Sequence, residues 1–162
     1  MSRRLQICTA IVTALATADI PDLKARWLFE GEDELTTIEE GVPQAVVVPG
    51  RDERTGQQAN MLERQLSGHV IFSTDAGGEF DDTRRAAVHE QLTKVEATML
   101  ALGAGAAGVV AINEQIAGVT EFDVETTFDT IIGVQGRFNA RIDWVCRYRH
   151  DLTDPRTYGG QA

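Results

Sequence analysis

The residue types that usually do chemistry are sparse in this chain and poorly spaced for it. His69, His89 and His150 stand far apart. His89-Glu90 lacks the second histidine four residues on that a helical zinc site needs. Cys8 and Cys146 show no ligand spacing and read as reduced, buried thiols, Cys146 on an apolar strand face where a thiol packs rather than attacks. Glu79, Asp81 and Asp82 precede a helical pattern, where carboxylates cap the helix and complement its dipole. Gly103 to Gly108 spells G-x-G-x-x-G but follows a helix, so no helix N-terminus waits behind a βα turn to hold a pyrophosphate. With no nucleophile elbow, P-loop or H-E-x-x-H motif, the chain reads as a non-enzyme needing no cofactor and no metal.

Charge narrows the classes further. Fifteen basic residues against 25 acidic ones give a net charge of −10 over 162 residues. That balance lacks the basic footprint of tight nucleic-acid binding. Glu30, Glu32, Asp33, Glu34, Glu39 and Glu40 form an acidic surface segment with no base among them, whose mutual repulsion needs solvent, cations or basic partners. At 43% hydrophobic the chain can bury one real core, and its length suits one domain. No apolar run is long enough to span a bilayer.

The elements that must position these residues begin with an amphipathic helix. Arg3-Arg4 and the stretch ending Ala14-Leu15-Ala16-Thr17-Ala18 mimic a secretory signal. Yet Gln6, Thr9, Thr13 and Thr17 share one helical face and Leu5, Cys8, Val12 and Leu15, flanked by Ile7 and Ile11, the other, as in a folded, soluble, cytoplasmic protein. Leu23 to Phe29 reads as a helical turn or two, and Gln44 to Val48 as a buried strand closed by Pro49-Gly50. Residues 51–67 read as a long polar excursion with a helical turn near 59–66, followed by a strand over His69 to Thr74 able to pair with the first. Val88, Leu92, Val95, Met99 and Leu102 mark a long helix ended by Gly103, and Val109 to Ile116 suits either a short helix or a strand.

The clearest pattern is a two-residue alternation over the last third. Phe122, Val124, Thr126 and Phe128 share a face opposite Glu121, Asp123, Glu125 and Asp129. Phe138, Ala140, Ile142, Trp144, Cys146 and Tyr148 share a face opposite Arg137, Arg141, Arg147 and Arg149. A three-residue loop Val134-Gln135-Gly136 predicts a hairpin with Asp129 opposite Arg141, Asp123 opposite Arg147 and Glu121 opposite Arg149. On the apolar face it sets Ile132 opposite Phe138, Phe128 opposite Ile142, Val124 opposite Cys146 and Phe122 opposite Tyr148. The expectation is an α+β fold: an antiparallel sheet of about four strands, with a long C-terminal hairpin, packed against a long helix and an N-terminal helix. It spans 1–151 as a single domain, followed by a polar tail over 152–162.

The order of elements, closing on Arg137-Phe138-Asn139-Ala140-Arg141-Ile142-Asp143-Trp144-Val145-Cys146-Arg147-Tyr148-Arg149, resembles the tail-terminator and tail-completion proteins of long-tailed bacteriophages over residues 3–151. The resemblance implies a virion protein, made in the host cytoplasm, that forms a homo-oligomeric ring, commonly a hexamer. Such a ring ends the tail tube, joins it to the head connector and lets DNA pass through its lumen. An acidic wall beside a polyanion keeps adhesion low. The acids of 30–40 are the candidate lumen or ring-face surface, and Arg51, Arg54, Arg64, Arg147 and Arg149 the candidate interface cations. A closed ring needs two different patches that meet, and acids facing arginines supply them. On that basis reversing Arg147 and Arg149 to Glu weakens assembly more than folding. Three other readings remain open: a head-side connector or stopper of the phage neck, an adaptor unrelated to phage, and an enzyme using a carboxylate-bound cation near Asp75 to Asp82.

Overall fold

The computed structural model describes residues 1–28, 42–75, 82–125, 129–132 and 137–159. Three helices, α1 (Arg3–Ala16), α2 (Asp82–Ala104) and α3 (Ile112–Gln115), accompany six strands: β1 (Lys24–Trp27), β2 (Gln44–Gln58), β3 (Met61–Asp75), β4 (Val119–Val124), β5 (Asp129–Ile132) and β6 (Arg137–Asp151). The class is α+β. The sheet runs β1-β2-β3-β6-β4, with β5 also on β6. β4 and β5 pair with successive stretches of the same strand, so the six strands fill five positions. The sheet is mixed, not antiparallel as expected, because β1 lies parallel to β2.

α2 follows its predicted face, whereas the buried stripe of α1 centres on Ile7 and Ile11 and leaves Leu5 and Val12 half-buried. Ser2 caps α1 by accepting a hydrogen bond from the Leu5 amide at 3.2 Å, and Ile7, Cys8, Ile11 and Leu15 are buried while Thr9 and Thr13 stay exposed. Val88, Leu92, Val95, Met99 and Leu102 are all buried along α2. The helix runs one residue past Gly103, which lies inside it where a Cβ would stand 2.9 Å from the Phe122 carbonyl oxygen, so this glycine serves a close approach rather than a stop. Ile7, Ile11, Leu92, Met99, Phe72, Ile142 and Trp144 join in one core between the helices and a face of the sheet. Val46 and Ile71 point the other way and are fully buried as well, so the sheet is sheltered on both faces where they pair.

Three expectations are corrected. Leu23 to Phe29 is no helix: Lys24–Trp27 forms a strand, because Ala45 to Val47 offer a buried edge and ladder hydrogen bonds outweigh one weak turn. The 51–67 excursion is the distal half of a hairpin, in which β2 and β3 turn at Ala59-Asn60 and pair from Gln58↔Met61 back to Gln44↔Ser73, with shifts after Pro49 and Arg54. The C-terminal register is correct at Asp129↔Arg141 and Ile132↔Phe138, but β4 is displaced by two residues, giving Glu121↔Arg147, Phe122↔Cys146 and Val124↔Trp144. A slip of two keeps every side chain on its predicted face, so alternation alone could not detect it. Residues 152–159 of the polar tail lie back on the sheet end: Leu152 N–H donates to the Asn60 carbonyl at 2.7 Å, and Asp151 accepts from Thr157 Oγ1 at 2.6 Å and Gly159 N–H at 2.9 Å. Within 109–116 only Ile112–Gln115 is helical, forming α3. The loop Val134-Gln135-Gly136 and the pairing of Phe128 lie outside the described residues.

Candidate functional site

The three equal strands β2, β3 and β6 form a ribbon whose proximal half lies under the helices and whose distal half, from Gly50 to the Ala59-Asn60 turn, is largely exposed along β2. β1 pairs only with Gln44 to Val47. Beyond it, among the described residues, β2 presents an open edge over Arg51–Gln58. Two predicted interface cations stand on that edge. Arg51 bridges Glu53 at 2.7 Å with its side chain 80% exposed, and Arg54 donates to Gln57 Oε1. Exposed ion pairs of this kind are worth little and exchange readily for a partner.

Arg147 and Arg149 sit on the helix-free face of β6, where the chain already supplies their anions. Arg147 reaches Glu121 Oε2 at 3.1 Å and Gln65 Oε1 at 3.2 Å, and Arg149 reaches Glu63 Oε1 at 2.7 Å. The Glu121 partnership goes to Arg147, not Arg149, as the two-residue displacement of β4 dictates. Arg141 pairs with Asp143 on its own strand at 2.8 Å. At the far margin of the sheet β4 leaves Glu121, Asp123 and Glu125 exposed. The acids Glu30, Glu32, Asp33, Glu34, Glu39 and Glu40 lie outside the described residues.

Arg64, the remaining predicted cation, faces the other side and belongs to a different arrangement. Its Nε donates to Asp52 Oδ1 at 3.2 Å, while Tyr148 donates to Asp52 Oδ2 at 2.7 Å. Burial, then the hydrogen bond and charge of Asp52, hold the Tyr148 hydroxyl protonated far above its ordinary range. These groups wall a cavity of about 320 Å³ together with Arg3, Arg4 and His150. Arg3 is 2% exposed, and its Nη1 donates to Gln6 Oε1 at 2.8 Å.

Sequence reasoning missed this cavity. One signal was available: Arg3 and Arg4 occupy the first turn of a helix, the end whose dipole disfavours cations and attracts anions. Arginines placed there need an anion or a structural reason. His89 and the cysteines fit their bland readings: His89 is exposed on α2 with its ring against Phe138, and both thiols are buried. Among the described residues no cluster of three or more metal-ligating side chains occurs, and no helix is long and apolar enough to cross a membrane. No protein-family model matches the chain, and no curated protein matches it either.

Proposed function

We propose that this chain is the structural subunit of a closed ring at the neck of a tailed-phage particle, ending the tail tube and meeting the head connector. The observation that carries the reading is the unlike character of the two margins of the sheet. One is an open β2 edge bearing Arg51, in an exposed pair with Glu53, and Arg54, and the other an exposed acidic row, Asp123 and Glu125, beside the Glu121–Arg147 pair at β4. Margins that differ and attract meet heterologously, and a heterologous contact that closes makes a ring. The net charge of −10 suits a conduit for DNA, which must pass the polyanion without holding it. The arginines of β6 are secondary in this reading, because Glu63 and Glu121 of the same chain already engage them.

Light scattering on the purified chain, followed by negative-stain imaging, tests the proposal. The expected result is a uniform ring, hexameric if the resemblance extends to stoichiometry. Arg51→Glu with Arg54→Glu is expected to release folded monomers. A wild-type chain that stays monomeric at tens of micromolar overturns the ring reading and leaves a monomeric adaptor in its place.

A further inference from the structure

The two cysteines are far apart in sequence, and the fold carries them toward one place. Arg3 and Arg4, in the first turn of α1, wall one cavity with Tyr148 and His150 near the end of β6. From that end α1 leads toward β1, whose first rung Lys24↔Gln44 is level, through Ser73, with Asn139 near the start of β6. Helix and strand thus run in opposite directions. Cys8 stands one turn beyond Arg4 on the same helical side, an advance of about 6 Å. Cys146 stands two residues back from Tyr148 on the same strand face, about 6.7 Å. Nearly equal steps in one direction bring the two thiols together.

Burial agrees with that placement. Cys8 is 2% exposed and Cys146 fully buried, and both belong to the core between the helices and the sheet. Cys8 also adds to burial in pushing the Cys146 thiol up, the effect of a close neighbour. The chain holds two cysteines and both are free thiols, so each is the only partner the other has within it.

We infer that Cys8 and Cys146 are a latent disulfide pair, a redox-sensitive latch between α1 and β6. The oxidant is a peroxide. One thiol attacks it, the O–O bond breaks, and a sulfenic acid and a water result; the second thiol then displaces the sulfenic oxygen as a second water and leaves one Sγ–Sγ bond. Two electrons pass from the sulfurs to the peroxide oxygens. Both thiols are closed to solvent, so the latch shuts only when α1 lifts to admit the oxidant, and it stays open in a reducing compartment. Once shut, it closes nearly the whole chain into one loop and restricts the unfolded state far more than the folded one. The latch stands independently of the ring proposal.

Treatment of the reduced full chain with hydrogen peroxide tests the inference, with thiols counted in denaturant and the cysteine peptides mapped by mass spectrometry. The expected result is loss of both thiols, a Cys8–Cys146 peptide pair that a reductant separates, and a melting temperature raised by about 5 °C or more until reductant is added. Cys8→Ala is expected to gain no such rise from peroxide. Should Cys8→Ala fail to fold, Cys146→Ala serves the same comparison, and the peptide map of the wild type decides in either case. Two thiols that survive peroxide, chains joined to one another instead of within themselves, oxygen added to each sulfur separately, or a cross-linked chain that melts no higher than the reduced one would each overturn the latch.

Discussion

Tyr148 on the last long strand donates to Asp52 on β2 at 2.7 Å, although 96 positions separate them in sequence and β3 runs between their strands. Arg64 closes the gap, standing opposite Tyr148 in the β3–β6 ladder and donating to the other oxygen of Asp52. One carboxylate thus ties together three strands where the ribbon leaves the cover of the helices. Asp52→Ala leaves a guanidinium and a buried phenol without their acceptor, and is expected to lower unfolding free energy by about 1–3 kcal/mol in urea denaturation. Part of the upward push on the Tyr148 hydroxyl goes with it, so phenolate absorbance in the folded Asp52→Ala variant should appear at lower pH than in the wild type.

Gly68 faces Trp144 across the β3–β6 ladder. A Cβ there would stand 2.5 Å from Trp144 Cζ2 and 2.6 Å from the Val48 carbonyl oxygen, and neither the buried indole nor the backbone can yield cheaply. Gly68→Ala is expected to cost about 1–3 kcal/mol, the usual penalty of overpacking. Near-ultraviolet circular dichroism should report a displaced Trp144.

The Ala59-Asn60 turn offers the opposite outcome. Ala59 has φ of 51°, in the left-handed region that an L side chain resists. Ala59→Gly relieves that cost but frees the unfolded chain, so the net gain is expected to reach at most about 1 kcal/mol. It should appear as a higher urea midpoint at unchanged slope.

The two thiols make the fold sensitive to alkali. Burial pushes Cys8 up to about 11 against the opposing pull of Arg4, and burial, then Cys8, pushes Cys146 up to about 12, from an ordinary value of 9.0. The folded state holds its protons more tightly than the unfolded chain, so this contribution is complete below pH 9 and disappears as pH climbs through 11 to 12. Each thiol removes up to about 1.4 kcal/mol per pH unit within that window. Unfolding free energies measured from pH 8 to 11 should fall steeply for the wild type and less so for Cys8→Ala with Cys146→Ala.

Much of this was legible in the residues, for identifiable reasons. The spacing of Val88, Leu92, Val95, Met99 and Leu102 admits one helix, and the alternation from Phe138 to Tyr148 admits one strand with one buried face. The register of β4 was not legible, since displacement by two preserves that alternation. The distal hairpin escaped because Arg51 to Gln65 carries charge on both faces of an exposed ribbon, and Ala59-Asn60 lacks the glycine that usually announces a tight turn. β1 escaped because four residues carry too little periodicity to read. The cavity escaped for a deeper reason: Arg3, the Asp52–Arg64 hairpin and His150 come from three distant stretches and meet only in the folded chain.

The equal length of β2, β3 and β6 has a mechanical consequence. Fifteen extended residues span roughly 50 Å, so the ribbon is a beam with one end beneath the helices and the Ala59-Asn60 end tied down by the Leu152 amide. Force along its length loads every rung of the ladders in shear at once, whereas force across it peels rungs singly. Such a beam is stiff toward a load on the Ala59-Asn60 tip in one direction and compliant in the other.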